Sequence, residues 1–367
     1  DLIIELGGDK VSVLTDKSNL IVNYLVELKY QVTLDPEYNS KLKDYEVHKK
    51  KYVDEAASFY LSAIEETKDT SELALLNYYI GNLYTYLSID HDLAIDYLFK
   101  SIDLDSNYYK VYDCLGQNYI GLHNPTLAVK FYEKAISLIK SVNFSNRRLK
   151  KDELSSAYTK IYFNLKKLKK HDDAFKTIKL KYQISNKEEG ALDLIDSYIY
   201  NNILDSAILL SKYHFNKTSD PTFLILNSIA LFLNDKKRIA KNQVNEVIKN
   251  KKVGEIPNIR NIYRYRIYHA LQQFYFVSKD YENLLNIINQ SIEYAKKEEW
   301  NNYQYSELYY KKSLVLNEIG DNVEALINIT KAMEFFEYDI YSTDITFYRT
   351  LTIDNLNSLK SKIISSF

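Results

Sequence analysis

The residues of this chain whose types suit catalysis or metal binding are six histidines, one cysteine and two close pairs of carboxylates. The histidines are His48, His91, His123, His171, His214 and His269. None has a second histidine three or four positions away, so the H-E-x-x-H zinc helix, which sets two imidazoles on one helical face, is absent. Most fall at expected turns or helix ends, where a solvated side chain is the simple reading. Cys114 is the single cysteine, which excludes a thiolate cluster and an internal disulfide. A reactive thiolate needs a cation beside it. None adjoins Cys114, which precedes an expected core residue, Leu115, and reads as a packed thiol. Asp90 with Asp92, and Asp172-Asp173, sit where turns between helices are expected. Helix capping and dipole compensation account for them better than an acid/base pair. No G-x-x-x-x-G-K-[ST] loop occurs, and Gly7-Gly8 is isolated. No catalytic residue, metal ligand or cofactor is assigned, and the chain is expected not to be an enzyme.

Basic residues offer a second kind of chemistry. Arg147-Arg148 with Lys150-Lys151, Lys166–Lys170 and Lys236-Lys237-Arg238 are scattered, while Arg260, Arg264 and Arg266 interleave with Tyr263, Tyr265 and Tyr268. Cations among aromatics can hold phosphates and stack bases. The plainer reading is a solvated helix face, with acidic peptides next and nucleic acid last. Lys plus Arg is 48 and Asp plus Glu 49, so the chain lacks the general basic field of a nucleic-acid coat.

The elements that must carry these residues are helical. Four prolines and eight glycines in 367 residues are too few for a strand-and-turn protein. The 35 tyrosines suit packed helix surfaces, being large with one polar tip. No run of eighteen apolar residues and no signal-peptide pattern is present. With one cysteine, which fits a reducing compartment, a cytoplasmic location and no membrane span are expected. The first residue is Asp1, so an upstream segment is expected. Leu2–Leu6 with Gly7-Gly8 reads as a short strand and turn, and Asn19–Lys29 as an amphipathic helix.

A unit recurs along the chain. It is clearest at Tyr112, Leu115, Gly116 and Tyr119, followed by Ala128, Tyr132 and Ala135; Tyr78, Ile80, Gly81 and Tyr84 repeat its first part. The small residue expected in the second helix stands at Ala56, Ala94, Ala128, Ala174, Ala207, Ala240, Leu284 (a substitute) and Ala325. The separations are 38, 34, 46, 33, 33, 44 and 41. The longer ones coincide with a polar, basic connection at Ser141–Lys151, a loop at Asn250–Pro257 and extended helices through Glu293–Glu307. Later units replace the glycine with Tyr162, Ile195, Ser228, Gln272 and Ser313.

This pattern resembles the tetratricopeptide repeat (TPR), whose period is about 34 residues. The match is strong for Ala74–Ser141, good for Tyr303–Tyr338 and degenerate between. The resemblance implies an all-α fold: a right-handed α-α superhelix, or solenoid, of about eight helical hairpins. Residues 36–343 would form the array, 1–35 an N-terminal cap or remnant of an upstream domain, and 344–367 a C-terminal capping helix. It also implies that ligands meet outward positions of each first helix on a concave side. Carried onto this chain, those positions are Tyr78, Asn82, Tyr86, Asp113, Gln117, Thr159, Phe163, Arg266, His269, Gln273, Tyr310 and Asn317. Asn and Gln amides both donate and accept, matching a peptide backbone, and Tyr adds flat apolar area. Of the positions matching the carboxylate clamp of some relatives, Tyr78, Asn82, Cys114, Ser156 and Lys160, only Asn82 and Lys160 fit, so that clamp is not expected.

The implied function is a non-enzymatic scaffold that binds a protein or peptide segment. Two alternatives stand: a peptide-sensing domain of a transcription regulator or signalling protein, and the sensor arm of an enzyme whose catalytic domain lies upstream. Terminal helices of an open-ended array also offer a route to a homodimer. The irregular stretch Ile256–Phe276 is the expected seat of specificity.

Overall fold

The computed structural model describes residues 9–33, 38–88, 90–185, 188–250, 261–297, 302–340 and 353–366. The expected strand at Leu2–Leu6, the loop at Asn250–Pro257 and the arginines 260 and 264 lie outside the described residues or side chains. Seventeen α-helices occur among the described residues. In chain order they are α1 Lys10–Thr33, α2 Tyr38–Glu66, α3 Thr70–Leu83, α4 His91–Leu104, α5 Tyr109–Gly121, α6 Pro125–Ser141, α7 Arg147–Lys167 and α8 His171–Ser185. They continue as α9 Glu188–Tyr200, α10 Leu204–Thr218, α11 Pro221–Leu233, α12 Lys237–Asn250, α13 Asn261–Val277, α14 Tyr281–Lys297, α15 Asn302–Glu318, α16 Asn322–Ile340 and α17 Ile353–Ile364. Among the described residues the fold is all-α, and α1–α2, α3–α4, α5–α6, α9–α10, α11–α12, α13–α14 and α15–α16 pair as hairpins. Because α1 pairs with α2, residues 10–33 of the expected N-terminal cap supply the first helix of the first hairpin.

Each second helix presents its small residue to its partner. Ala56, Ala94, Ala128, Ala174, Ala207, Ala240, Leu284 and Ala325 are all buried. Gly81 and Gly116 show why the first helix needs so little there. A Cβ at Gly81 would lie 2.6 Å from Leu98 Cγ and 3.1 Å from the Ala94 carbonyl oxygen; one at Gly116 would lie 2.5 Å from the Tyr132 ring. At two first-helix positions a serine hydroxyl uses the same approach. Ser313 donates to the Ala325 carbonyl at 2.7 Å, and Ser18 to the Ala56 carbonyl at 2.9 Å.

The turns repeat as well. His123, Lys169, Asn202, Asp235, Lys279 and Gly320 all have positive φ, between 55° and 85°. Each stands five positions before the aligned small residue. The next residue's N–H bonds back to a carbonyl five residues earlier, as in Asn124 to Tyr119, Lys236 to Leu231 and Asp321 to Leu316. This is a Schellman-type end, which closes the first helix and reverses the chain. Five of the six left-handed residues are not glycine, so this turn leaves little trace in the sequence. Asp90 and Asn124 then cap the following helices, accepting from Leu93 and Leu127 N–H groups, and Asp172-Asp173 lie in the first turn of α8. The basic connection expected at Ser141–Lys151 is shorter than that. Asn146 caps α7, so Arg147–Lys151 are helical.

The chain divides into two compact units, one running to Thr177 and the other from Ile178, with the division inside α8. In the first, Leu25, Val53, Tyr60, Leu76 and Ile80 form one core, and Leu98, Val111, Cys114 and Leu115 another. In the second, one core runs from Ala191 to Val315. Leu356, Leu359 and Ile363 of α17 bury against Leu316, Ala325, Ile329 and Ala332.

Two substitutions test this account by urea unfolding followed by circular dichroism. Gly116→Ala should destabilise by about 1–3 kcal/mol, because overpacking against Tyr132 outweighs the gain of about 1 kcal/mol in helix propensity. Lys279→Gly should stabilise by up to about 1 kcal/mol by relieving a left-handed residue. A neutral or stabilising Gly116→Ala would refute the close crossing.

Candidate functional site

In the first unit, the first-helix faces of α3, α5 and α7 bring polar groups together. Lys160 Nζ on α7 lies 2.6 Å from both carboxylate oxygens of Asp113 on α5 and 5.4 Å from the centroid of the Tyr132 ring. Below them Cys114 Sγ lies 3.1 Å from Thr85 Oγ1. Burial pushes the thiol up to about 12, against the lowering effect of the Thr85 hydrogen bond; Asp113 adds to the rise and Lys160 opposes it. Asn118 Nδ2 donates to Thr85 Oγ1 and to the Cys114 carbonyl, so its Oδ1 accepts from His91 Nδ1 at 2.9 Å. Tyr78 meets Tyr108 edge-to-face at 5.0 Å. Tyr86 is 43 % exposed as a residue, yet its phenol end is turned inward. Burial, then Cys114 and Asp113, hold that phenol protonated far above its ordinary range. This face is therefore largely saturated by its own contacts.

The second unit differs. Between α13, α14 and α15 lies a cavity of about 220 Å³. Leu284 and Ile288 of α14 and Leu314 and Val315 of α15 form its apolar wall, with exposed Phe276 at its edge. His269, Gln272, Gln273 and Lys311 supply its polar side. Lys311 Nζ is 2.6 Å from Glu307 Oε1 and donates to Gln272 Oε1 at 3.3 Å, while Gln272 Nε2 donates to Ser291. Burial alone would raise the Glu307 carboxyl. The Lys311 ammonium and His269 outweigh it and hold the group below the ordinary glutamate value. Gln273 is half-buried and makes no hydrogen bond among the described residues.

Gly116 crosses beneath Tyr132, with Ala128 buried at the start of the second helix. In this the hairpin resembles a tetratricopeptide repeat. No family model matches the sequence, and no curated protein does. Solved structures similar to it include YrrB, a TPR protein with an unusual peptide-binding site, at 17% identity and a TM-score of 0.41 over 57% of this chain and 98% of that one. PilF of Pseudomonas aeruginosa has 14% identity and a TM-score of 0.36, covering 60% of this chain and 91% of its own. BtubC from P. vanneervenii has 15% and 0.35, covering 68% and 95%.

The residues expected from the repeat pattern lie in different surroundings. Tyr78, Asn82, Tyr86 and Asp113 do share one region of the first unit, and His269 and Gln273 line the cavity of the second. Gln117 was expected to face a ligand but is 2 % exposed, covered where neighbouring hairpins pack. Thr159 is buried and its hydroxyl back-bonds to the Ser155 carbonyl. Asp113 is tied to Lys160, which also removes one of the two residues matching the carboxylate clamp. Tyr310 packs instead against the core beneath α17. Phe163, Arg266 and Asn317 are half-buried and line neither region. His214 is not a solvated histidine. It is buried within α10, stacked on Phe223 at 5.0 Å and bonded to Tyr182. Burial, then Lys217, lowers its pKa. The outward-position reading missed Phe276, Lys311 and Leu314. The signal for them was an apolar residue three places after Gln273, and a Lys and Leu one turn apart on α15.

Among the described residues no cluster of His, Cys, Asp or Glu could hold a metal ion, and no helix is long and apolar enough to cross a membrane.

Two measurements follow. Cys114 should resist a thiol reagent in the native protein at pH 8, with labelling paced by unfolding; fast stoichiometric labelling would contradict its burial. The lowered Glu307 carboxyl stabilises the fold above its unfolded pKa, and that contribution disappears as pH falls through the folded one. The unfolding free-energy difference between wild type and Glu307→Gln should thus stay flat near neutrality and shrink below about pH 4. A pH-independent difference would refute the pairing.

Proposed function

We propose that the chain is a non-enzymatic interaction module that binds an extended protein or peptide segment on first-helix faces. One observation carries this reading: the cavity of about 220 Å³ between α13, α14 and α15 joins an apolar wall to an amide, Gln273, that packing leaves unused. Such an amide can pair with both the donor and the acceptor of a peptide unit. Among the described residues, Cys114 and His91 are engaged in internal hydrogen bonds with Thr85 and Asn118.

Selection of a displayed random peptide library on the purified chain, followed by hydrogen exchange of the complex, tests this. Enriched peptides should slow exchange in α13 and α15. The reading fails when no sequence enriches above an uncoated surface, or when protection is confined to second helices.

A further inference from the structure

We propose that the cavity of the second unit seats one large apolar side chain of a bound peptide, and that an acidic residue next to it in that peptide meets Lys311. This rests on the reading that the chain binds an extended segment, and adds what that segment must contain.

Three features assign the occupant. First, size and lining: native interiors hold few voids larger than a water molecule, and this one measures about 220 Å³ with walls of Leu284, Ile288, Leu314 and Val315. An apolar cavity of about 150 Å³ stays dry and already accepts a benzene-sized group, so a Phe, Leu or Met side chain fits. Second, charge: an ammonium has three N–H donors. Glu307 and Gln272 take two of those of Lys311, leaving one for a ligand. An acidic neighbour is favoured there and a basic one opposed. Third, Gln273 lines the same cavity with an uncommitted amide, which suits the peptide unit between the two recognised residues.

The test is fluorescence anisotropy with labelled nine-residue peptides carrying Phe-Glu at the centre of a Ser/Ala/Gly background. Against the wild-type chain, replacing the peptide's Phe by Ala should weaken binding about ten-fold or more, the scale set by burying one large apolar side chain. Replacing its Glu by Lys should also weaken binding about ten-fold, through a lost charged hydrogen bond and like-charge repulsion. A peptide ending in free Phe, whose only carboxylate is terminal, should bind more weakly than the internal Phe-Glu. Leu314→Trp, which fills the cavity from one wall, should remove the preference for Phe over Ala. If its circular dichroism melt shows that it does not fold, Phe276→Ala at the exposed edge should instead weaken Phe-Glu binding several-fold.

Equal binding of the Phe and Ala peptides overturns the proposal, as does a folded Leu314→Trp that keeps the preference. Equal binding of the Glu and Lys peptides, or tighter binding of the terminal carboxylate, overturns the acidic-neighbour assignment. Library peptides that bind wild type and Leu314→Trp alike would leave the interaction-module reading standing while this proposal fails. Failure of both the designed and the library peptides to bind overturns both.

Discussion

Everything in this molecule depends on how closely the two helices of each hairpin can approach. In the two regular hairpins a glycine on the first helix leaves no room for more: a Cβ at Gly81 would meet Leu98 Cγ at 2.6 Å, and one at Gly116 the Tyr132 ring at 2.5 Å. At such distances the surrounding side chains interlock, which gives each hairpin a fixed apolar stripe. No hairpin can bury that stripe by itself, so each needs the next one, and the last needs α17. Ser313 and Ser18 each donate to the facing alanine carbonyl, so at those positions a serine keeps the crossing.

This constraint also governs where polar groups end up. Positions in the middle of a first helix are flanked by the first helices of neighbouring hairpins, and any polar side chain there must find a partner within the array or lose hydration. In the first unit several find partners, Asp113 with Lys160, Thr85 with Cys114, and Asn118 with His91 and Thr85, while Gln117 Oε1 is buried without a hydrogen bond. The second unit leaves an apolar hollow beside a partly satisfied lysine and an unused glutamine amide. The proposed recognition region is accordingly the irregular α13 to α15 stretch rather than the regular hairpin of α5 and α6.

Much of this was legible in the residues. Eight positions taken as the small residue of the second helix, Leu284 among them, are buried on eight successive second helices, because a packing constraint that strict writes itself into residue type. The capping aspartates and the packed thiol of Cys114 were legible for the same kind of reason: each follows from a local requirement. Site residues were harder. Gln117 and His269 have equal standing on the repeat pattern, but one is enclosed and the other lines a cavity. The difference is made by Leu284, Ile288 and Leu314, which come from other helices.

The sequence by itself determined the all-α class and the hairpin repeat. These depend on periodicity and on residue size at single positions, which are local properties. Only the tertiary structure decided that His214 is buried between aromatics, that Lys160 is committed to Asp113, and that a 220 Å³ hollow opens between α13, α14 and α15. Each of those depends on which side chains of separate helices reach the same point in space. That in turn is set by how hairpins stack, and no single stretch of the chain encodes it.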